Sequence, residues 1–320
     1  MISSQQAKRR LCVGCACWCL LVYLCLYPSF AWSANTVLVV LDTGNRIHQS
    51  VLRHFRELAN ASLAPESAVE IRSLDFNQHK AEETPEAGLI ITIGVRAAAE
   101  LQNHPVDVPV LNVLIPQDAY RQMISAARRE TAAVFLDQPI ERQFAVAHTL
   151  LPTVHEAGML LGSESSADIA SFARAAGRFS LHLDVVTLDR GASPASAIQK
   201  LLTSNQVIVS TFDREAYQPA TAKWLMYLAL RQQRPIIGFS YALLEAGAAA
   251  SVFSTPEDIA RHTADIVADW VHTGIAPTGT AFPRYYNIGI NARIADKLGL
   301  DAPSEKVLEQ RVRTLLGETP

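Results

Sequence analysis

Short apolar runs recur along the chain and alternate with stretches whose apolar residues are spaced as on a helix. The run at 36–41, Thr-Val-Leu-Val-Val-Leu, is what a strand buried on both faces requires. Further apolar runs predict strands at 69–74, 88–94, 108–115 and 131–136. Helical patterns at 46–60 and 95–102 lie between them. Strands that alternate with helices in this way form parallel sheets with crossover helices on both faces.

The same alternation restarts after residue 136 and predicts a second α/β lobe. Asp137-Gln138-Pro139 begins a helix, in which Asp137 can act as the cap and Pro139 falls in the first turn. Strands are predicted at 157–161, 181–188, 206–211, 235–238 and 247–253. The final segment predicts a helix at 256–273, a loop at 276–283, a strand at 286–291 and a helix at 305–316. We expect lobe one to comprise 35–136 and 255–320, and lobe two to comprise 137–254.

The stretch 234–259 places a strand, a sharp turn, a short helix, a Gly-Ala-rich strand and a capped helix start in close succession. The turn is Phe239-Ser240-Tyr241. Open α/β sheets bind ligands at the carboxyl ends of their strands. We therefore expect this turn to form one wall of a ligand cleft, facing Gly94–Arg96 of lobe one, and 253–256 to be a hinge between the lobes.

The first 31 residues differ in composition from the rest of the chain. A basic segment, Lys8-Arg9-Arg10, precedes an apolar run at 11–27 and a small-residue site that ends at Ala31. This order is typical of a secretory signal peptide, 1–31, with cleavage after Ala31 or two or three residues later, and it predicts a periplasmic protein. A transmembrane anchor is the alternative, although the run is shorter than the about 20 residues that span a bilayer.

All five cysteines lie inside this leader, so we expect the mature chain to have no disulfide, thiolate nucleophile or cysteine-bound metal. Lipidation is a further alternative, but none of these cysteines follows a clear small-residue lipobox. Cleavage also removes three basic residues and no acidic ones, which leaves 25 basic against 31 acidic residues and a net charge of −6. No basic cluster remains, which argues against nucleic acid and anionic membranes as partners.

Several segments, taken together, resemble a known protein family. In chain order they are Thr131–Pro139 with Glu141–Gln143, Leu150–Pro152 with Gly158–Gly162, Arg234–Ser240 with Glu245–Gly247, Ser254–Asp258, and Asn291 with Ala295 and Leu298–Gly299. Their order and spacing resemble the solute-binding proteins of ABC importers with the type I periplasmic-binding fold. The resemblance is to a group whose studied relatives include aromatic amino-acid binders, and it spans roughly Val37 to Leu300.

The resemblance implies two Rossmann-like lobes with parallel sheets, joined by three hinge strands, with a small ligand between them. It implies no catalysis and no cofactor, and it implies an ABC permease of the inner membrane as partner; we expect a monomer. Two departures fall at the expected cleft. Val209–Asp213 stands where relatives more often have Leu-Pro-Asp, and Gln218 stands where an Asn after Tyr is common. The ligand of the relatives is therefore not carried over.

Strand ends supply the candidate ligand contacts. In lobe one the candidates are Asp42, Thr43, Gly94, Val95, Arg96 and Gln117, and in lobe two they are Thr211, Asp213, Tyr217, Phe239, Ser240 and Tyr241. Gly94–Arg96 opens a helix whose free N–H groups suit a carboxylate, to which Arg96 adds donors; an ordinary tight turn with a solvated arginine is the alternative.

The lobe-two candidates have structural alternatives as well. Asp213 suits a ligand amine and Tyr217 an apolar ligand surface, but Asp213 can instead cap the following helix. The Phe239–Tyr241 turn offers aromatic surface and one hydroxyl, as small-molecule clefts need. The alternative places Phe239 in the core and makes Ser240 a helix cap.

A serine hydrolase is the third hypothesis for the same turn. Gly238-Phe-Ser-Tyr-Ala242 follows a strand and precedes a helix, as a nucleophile elbow does, and Asp258 and His262 or His272 follow in hydrolase order. No His-Gly-Gly stretch precedes it, and Asp258 and His262 fall on one helix, where they cannot flank Ser240. Spacings typical of metal ligands and of phosphate-binding loops are absent, so we expect no metal.

The leading hypothesis is an exported solute-binding protein that closes two lobes around an amino acid or similar small amphiphile, aromatic ones included, and delivers it to a permease. The alternative is a periplasmic sensory or partner-binding module of the same fold. Nothing in the sequence separates these two.

Overall fold

The computed structural model describes residues 36–63, 68–77, 86–103, 106–126, 131–163, 165–188 and 193–318. The predicted signal peptide, 1–31, lies outside these residues. Two six-stranded sheets with helices on their faces make up the described chain, which confirms the predicted α/β class. Within the described ranges, no helix is both long enough and apolar enough to span a membrane.

Strands and helices alternate along most of the chain. The strands are β1 (Thr36–Leu41), β2 (Glu70–Asp75), β3 (Leu89–Ile93), β4 (Val110–Ile115), β5 (Ala132–Phe135), β6 (Glu156–Leu161), β7 (His182–Thr187), β8 (Val207–Val209), β9 (Ile236–Gly238), β10 (Ala250–Phe253), β11 (Thr280–Ala281) and β12 (Asn287–Ile290). The helices are α1 (Arg46–Ser62), α2 (Val95–Gln102), α3 (Gln117–Ala126), α4 (Ile140–Leu150), α5 (Ile169–Gly177), α6 (Pro194–Ser204), α7 (Pro219–Arg231), α8 (Tyr241–Ala246), α9 (Pro256–Thr273), α10 (Ala292–Lys297) and α11 (Glu305–Leu316). A short 3-10 helix, Ser165–Asp168, precedes α5.

The first sheet has the strand order β11-β5-β4-β3-β1-β2 and is parallel throughout. Every residue of β1 is buried, as its continuous apolar run predicts for a strand covered on both faces. We refer to this sheet with α1, α2, α3 and α9 as lobe one.

The second sheet has the order β12-β10-β9-β8-β6-β7. Its pairs are parallel except that β12 runs antiparallel to β10. Phe144 on the inner face of α4 is fully buried in the largest apolar cluster, together with residues of β6, β8 and β10. We refer to this sheet with its remaining helices as lobe two.

The carboxyl-terminal segment divides between the lobes, whereas the sequence pattern predicts all of 255–320 in lobe one. Helix α9 packs on α1, with Ile259 and Val267 in the same apolar cluster as Phe55. β11 joins the first sheet beside β5, in a segment predicted to be a loop. The chain then crosses back, since β12 pairs with β10 and α11 packs on α4. The residue pattern identifies a strand near 286–291 but carries no information about which sheet edge that strand joins.

The connections between the lobes are themselves bonded to one another. The chain passes from one sheet to the other at 136–139, 254–255 and 282–286. Gln138 donates from Nε2 to Ser254 Oγ at 2.9 Å, and Ser254 Oγ donates to the carbonyl oxygen of Tyr285 at 2.6 Å. One residue from each crossing therefore belongs to a continuous chain of hydrogen bonds.

Arg142 of α4 extends this chain, and we call Gln138, Arg142, Ser254, Pro283 and Tyr285 the hinge network. The buried Arg142 guanidinium donates to Gln138 Oε1 at 2.7 Å and to the Pro283 carbonyl oxygen at 2.8 Å. It also donates to Glu318 Oε1 at 2.9 and 3.0 Å. Arg142 thus ties two crossings to the carboxyl-terminal turn of the described chain.

Candidate functional site

A cavity of about 210 Å³ lies between the two lobes. Lobe one supplies the first turn of α3, where Gln117 follows β4, and Asp137, which follows β5. Lobe two supplies Thr211, which follows β8, together with the 3-10 helix and α5. The lining thus comes from the carboxyl ends of parallel strands in both sheets, which is where α/β folds bind ligands.

The charged residues that line this cavity are mainly acidic. Its carboxylates are Asp118, Asp137, Glu141 and Asp168, which we call the cleft carboxylates, and Arg121 is the basic side chain among the described lining residues. Burial raises the pKa of Asp137 to about 6, although the N–H of Gln117 donates to Asp137 Oδ2 at 2.7 Å and opposes the shift. Burial, followed by the charge of Asp168, also raises the pKa of Asp118. These shifts indicate negative charge held in a partly desolvated space.

Aromatic rings complete the lining. Phe172 comes from α5, Phe212 from the loop after β8, and Phe282 from the third crossing. Phe282 contacts Phe135 edge-on with ring centroids 5.5 Å apart, and Phe212 contacts Phe239 in the same way at 5.8 Å. Edge-on contacts of this kind fix the ring orientations, so the cavity has defined apolar walls beside its carboxylates.

An ion pair connects the lobes across this cavity. Arg121 Nη1 of α3 lies 2.8 Å from Asp168 Oδ2 of lobe two and 3.3 Å from Asp118 Oδ1 of its own helix. The Arg121–Asp168 pair joins a helix of lobe one to the 3-10 helix of lobe two. Neither residue belongs to a crossing between the lobes. Because its two side chains come from different lobes, the pair helps to hold the lobes together on this side of the cavity.

Arg121→Gln and Asp168→Asn are each expected to weaken ligand affinity by a few-fold. Both side chains are partly exposed, and solvent-screened pairs of this kind contribute about 1 kcal/mol or less. Isothermal titration of the single variants and the double variant measures the coupling between them. Effects that add fully in the double variant would contradict a direct contribution of this pair to closure.

Of the lobe-one candidates that follow β3 and β4, Gln117 lines the cavity and Gly94 and Val95 are not among its lining residues. Gln117 also donates its N–H to Asp137. Gly94 ends β3 with φ 88°, where an added Cβ would lie 2.7 Å from the ring of His48. Glycine is therefore required at this turn both by backbone conformation and by space. Val95, the first residue of α2, remains 38% exposed.

The other lobe-one candidates contact groups of their own lobe. Arg96 Nη2 donates to Asn77 Oδ1 at 3.2 Å, and Arg96 Nη1 lies 3.7 Å from Asp42 Oδ2. The Thr43 hydroxyl donates to Asp75. The Arg96 side chain is 72% exposed, and the lining of the cavity does not include it. A role of these residues in ligand binding stays a prediction.

Asp213 of lobe two is buried and serves as an anchor between loops. Its Oδ2 accepts from the N–H of Gly162 at 2.7 Å and from Ser165 Oγ at 2.6 Å. Its Oδ1 accepts from the N–H groups of Glu215 at 2.9 Å and Ala216 at 2.8 Å. Both carboxylate oxygens are thus engaged by the protein. The N-cap of the following helix α7 is Gln218, so Asp213 does not cap that helix, and its contact with a ligand stays a prediction.

The remaining lobe-two candidates surround the turn after β9. Thr211 lines the cavity. Phe239 contacts the ring of Tyr217 edge-on at 5.4 Å, and it supports the cavity wall through its contact with Phe212. Ser240 is the N-cap of α8, where its Oγ accepts the N–H of Leu243 at 3.2 Å. Tyr241 is 54% exposed. Contact of Tyr217, Phe239, Ser240 and Tyr241 with a ligand stays a prediction.

Several lining residues were not among the sequence candidates. Asp137 was predicted to cap α4, but the N-cap of α4 is Pro139, and the Asp137 carboxylate turns to Gln117 instead. Its position directly after β5 was the available signal, because that strand end belongs to the same sheet edge. Asp168 and Phe282 reach the cavity from a 3-10 helix and a crossing, and no local pattern predicts such an approach.

Ser240, Asp258 and His262, the residues of the hydrolase hypothesis, form hydrogen bonds with other groups and not with one another. Ser240 caps α8, and Asp258 accepts from the N–H of Thr255 at 2.8 Å and from Asn287 Nδ2 at 2.6 Å. His262 Nδ1 accepts the N–H of Arg284 at 3.3 Å, and burial lowers its pKa to about 4. These contacts give each group a structural role.

Two α/β lobes, three crossings and a cavity between the strand ends define a two-lobe binding protein of the periplasmic type. The family model described as ABC transporter substrate binding protein matches residues 59–314, and the chain belongs to this family. The family consists of substrate-binding proteins, which are normally not enzymes, so the chain has a solute-binding role. This confirms the resemblance noted in the sequence. No curated protein sequence matches the chain.

Solved structures show the same fold at low sequence identity. The ABC domain from Streptococcus pneumonia in complex with L-Trp has 17% identity and a TM-score of 0.56, with 89% of this chain and 98% of that chain covered. A conserved domain protein from Vibrio cholerae has 17% identity and a TM-score of 0.57, with 87% and 98% covered. The ligand-free, open structure of a substrate binding protein with adhesive properties from Clostridium difficile has 13% identity and a TM-score of 0.66, with 85% and 97% covered.

Proposed function

We propose that this chain is the exported solute-binding protein of an ABC-type importer, which captures a small ligand between its lobes and delivers it to a membrane permease. The observation that carries the proposal is the cavity between the carboxyl ends of the two sheets, in a chain of the substrate-binding family. A periplasmic location and a monomeric state belong to the same proposal. The signal-like leader supports export.

The ligand proposed is an amino acid or similar small amphiphile, aromatic ones included. Aromatic rings on one part of the cavity and carboxylates on another suit a molecule with both an apolar and a charged portion. The complex of the Streptococcus pneumonia protein with L-Trp is consistent with this size and chemistry, although that ligand is a property of that protein.

Hinge closure is the proposed mechanism of capture. The crossings are bonded to one another through the hinge network, so they form a compact pivot. A ligand that contacts both lobes shifts the population toward the closed arrangement, because its contacts are complete only there. The Arg121–Asp168 pair then adds to the stability of that arrangement.

A melting-temperature screen of the mature protein against amino acids, amines and related metabolites tests ligand binding. Saturating ligand at about 100 times its dissociation constant stabilises the folded state by about 2.7 kcal/mol, which gives a clear rise in melting temperature. The absence of any shift across the panel would contradict the solute-binding proposal for these compounds.

Uptake of the labelled ligand by cells that lack this chain tests the importer. We expect uptake to fall and to recover when the chain is restored. Ligand binding in vitro without any effect on uptake would contradict the importer role and favour a sensory role of the same fold.

A further inference from the structure

The charge of the cavity is not balanced by its own residues. Arg121 is already bonded to Asp118 and Asp168. Asp137 and Glu141 take part in no ion pair among the described residues, yet both line the cavity. Arg121 lies near Asp137 but is paired with Asp118 and Asp168. A ligand that enters this space therefore meets Asp137 and Glu141, neither of which has an ion-pair partner among the described residues.

Asp137 is the most strongly perturbed of these carboxylates. It lies between the first turns of α3 and α4, with Gln117 N–H as the donor to Oδ2. The charged groups around it are Asp118 and Arg121 on α3, Glu141 on α4, and Asp168 from lobe two. Burial disfavours its ionised form, and a cation placed beside it would offset that cost.

The rest of the cavity suits the apolar part of the same molecule. Phe172, Phe212 and Phe282 come from three separate segments and are held by packing. Aromatic faces attract organic cations as well as apolar groups. An inorganic cation would leave these rings without a role, so an organic amine fits the lining better.

We infer that the ligand is a small organic ammonium compound, whose positive group lies beside Asp137 and whose apolar portion lies against Phe172, Phe212 and Phe282. A ligand carboxylate is not required, because Arg121 is committed to Asp118 and Asp168. Zwitterionic amino acids can supply the positive group through their ammonium group, and decarboxylated amines can supply it equally. This inference rests on the proposed function and names its class of substrate.

Isothermal titration with compounds matched in shape and different in charge tests the inference. The indole set is tryptamine, tryptophan, indole-3-propionate and 3-methylindole, and phenyl, imidazole and straight-chain sets are built in the same way. We expect every compound that binds to carry an amine. We expect the amine without a carboxylate to bind within about tenfold of the zwitterion, because Arg121 is already paired with Asp118 and Asp168 and a carboxylate at a partly exposed, occupied cation gains about 1 kcal/mol or less. Binding of a carboxylate-only or neutral compound as tight as that of its amine would overturn the inference and leave the proposed function standing. A lack of binding by every compound would contradict both.

Asp137→Asn separates a ligand contact from a structural role. We expect the variant to bind the tightest amine of the panel at least about tenfold more weakly, because it loses a charge-assisted contact. Without ligand, it is expected to melt at a higher temperature than the natural chain at pH 8. The pKa of Asp137 is raised from 3.8 to about 6 in the folded state, so the cost of ionising it accrues as the pH rises from about 4 to about 6 and is fully present at pH 8.

Asp269→Asn is the matched control, because it makes the same change in charge on the exposed face of α9. It is expected to leave amine affinity unchanged.

Affinity of the natural chain for the amine should fall as the pH is lowered below about 6, since Asp137 becomes protonated. Unchanged amine binding in Asp137→Asn, with the same pH profile as the natural chain, would overturn the assignment.

Discussion

Replacement of Asp213 by alanine is expected to lower the free energy of unfolding by about 3 to 4 kcal/mol. The buried carboxylate accepts hydrogen bonds from Gly162 and Ser165 of one loop and from Glu215 and Ala216 of another. Alanine leaves buried N–H groups without an acceptor, and an unsatisfied buried donor costs about 1 to 3 kcal/mol. Urea denaturation of the mature protein, followed by circular dichroism, measures the loss.

Two further variants distinguish this anchor from a ligand contact. Asp184→Ala removes a carboxylate with one hydrogen bond to Asn205 and is expected to cost about 1 kcal/mol or less. Asp213→Asn keeps one acceptor but points its amide N–H groups at the remaining donors, so it should also destabilise the fold. An Asp213→Asn protein with unchanged stability and lost ligand binding would contradict the structural role and support direct contact.

Replacement of Arg142 by alanine is expected to lower the free energy of unfolding by about 3 kcal/mol. The change removes the guanidinium that satisfies Gln138, the Pro283 carbonyl oxygen and Glu318. It also removes the cation that lies 3.8 Å from the Tyr286 ring centroid. Glu318 is partly exposed and can be rehydrated, which places the expected loss at the lower end for a broken buried pair. Thermal and urea denaturation measure it.

Arg142→Lys and Arg313→Ala are the controls for this prediction. Lysine keeps the charge but cannot serve several acceptors in fixed directions, so it should recover part of the stability. Arg313 also lies over Tyr286, at 4.0 Å from the ring centroid, but its partners are Glu309 and Tyr286 within lobe two. We therefore expect both alanine variants to lower stability but only Arg142→Ala to alter ligand-dependent closure, because Arg142 bonds to residues of two crossings. Equal effects of both arginines on closure would contradict the role of the hinge network.

The fold could be predicted from the sequence because its main signals are local. The apolar run of β1, the turn at Gly94 and the capped start of α9 each specify an element through nearby residues. The lobe to which the last segment belongs is not determined by nearby residues. β12 joins the second sheet through pairing with β10, a choice made by tertiary packing. The predicted loop at 276–283 likewise contains β11, whose two residues are too few for a pattern.

The candidate site was predicted less completely than the fold. The strand-end rule identified Gln117 and Thr211, which line the cavity. The same rule placed Asp213 in the cleft, but sequence cannot show that its carboxylate is already engaged by other loops. Asp137 was interpreted as a cap because an aspartate before a helix usually is one. Its contact with Gln117, 20 residues earlier, depends on the neighbouring strand.

The hinge and the cleft have different physical requirements. Gln138, Arg142 and Pro283 of the hinge network are buried, and hydrogen bonds join its members across the three crossings, which favours one arrangement of the pivot. The cavity instead retains carboxylates whose ionised form is disfavoured in the absence of a cation. This is a common relation between stability and function, in which a binding site is less stable empty than occupied. A bound cationic ligand would then offset the cost of the ionised carboxylates and would favour closure of the lobes at the same time.

Measurement of the distance between the lobes tests whether the protein captures its ligand by closure. The chain has no cysteine after Cys25, so cysteines introduced at Ala99 of α2 and Ala173 of α5, both exposed, can be spin-labelled selectively. Pulsed electron paramagnetic resonance is measured with and without the tightest-binding amine of the panel. We expect a shorter and narrower distance distribution with the amine, and a smaller change in Asp137→Asn. A distribution that stays unchanged while titration shows full binding would contradict capture by closure of the two lobes.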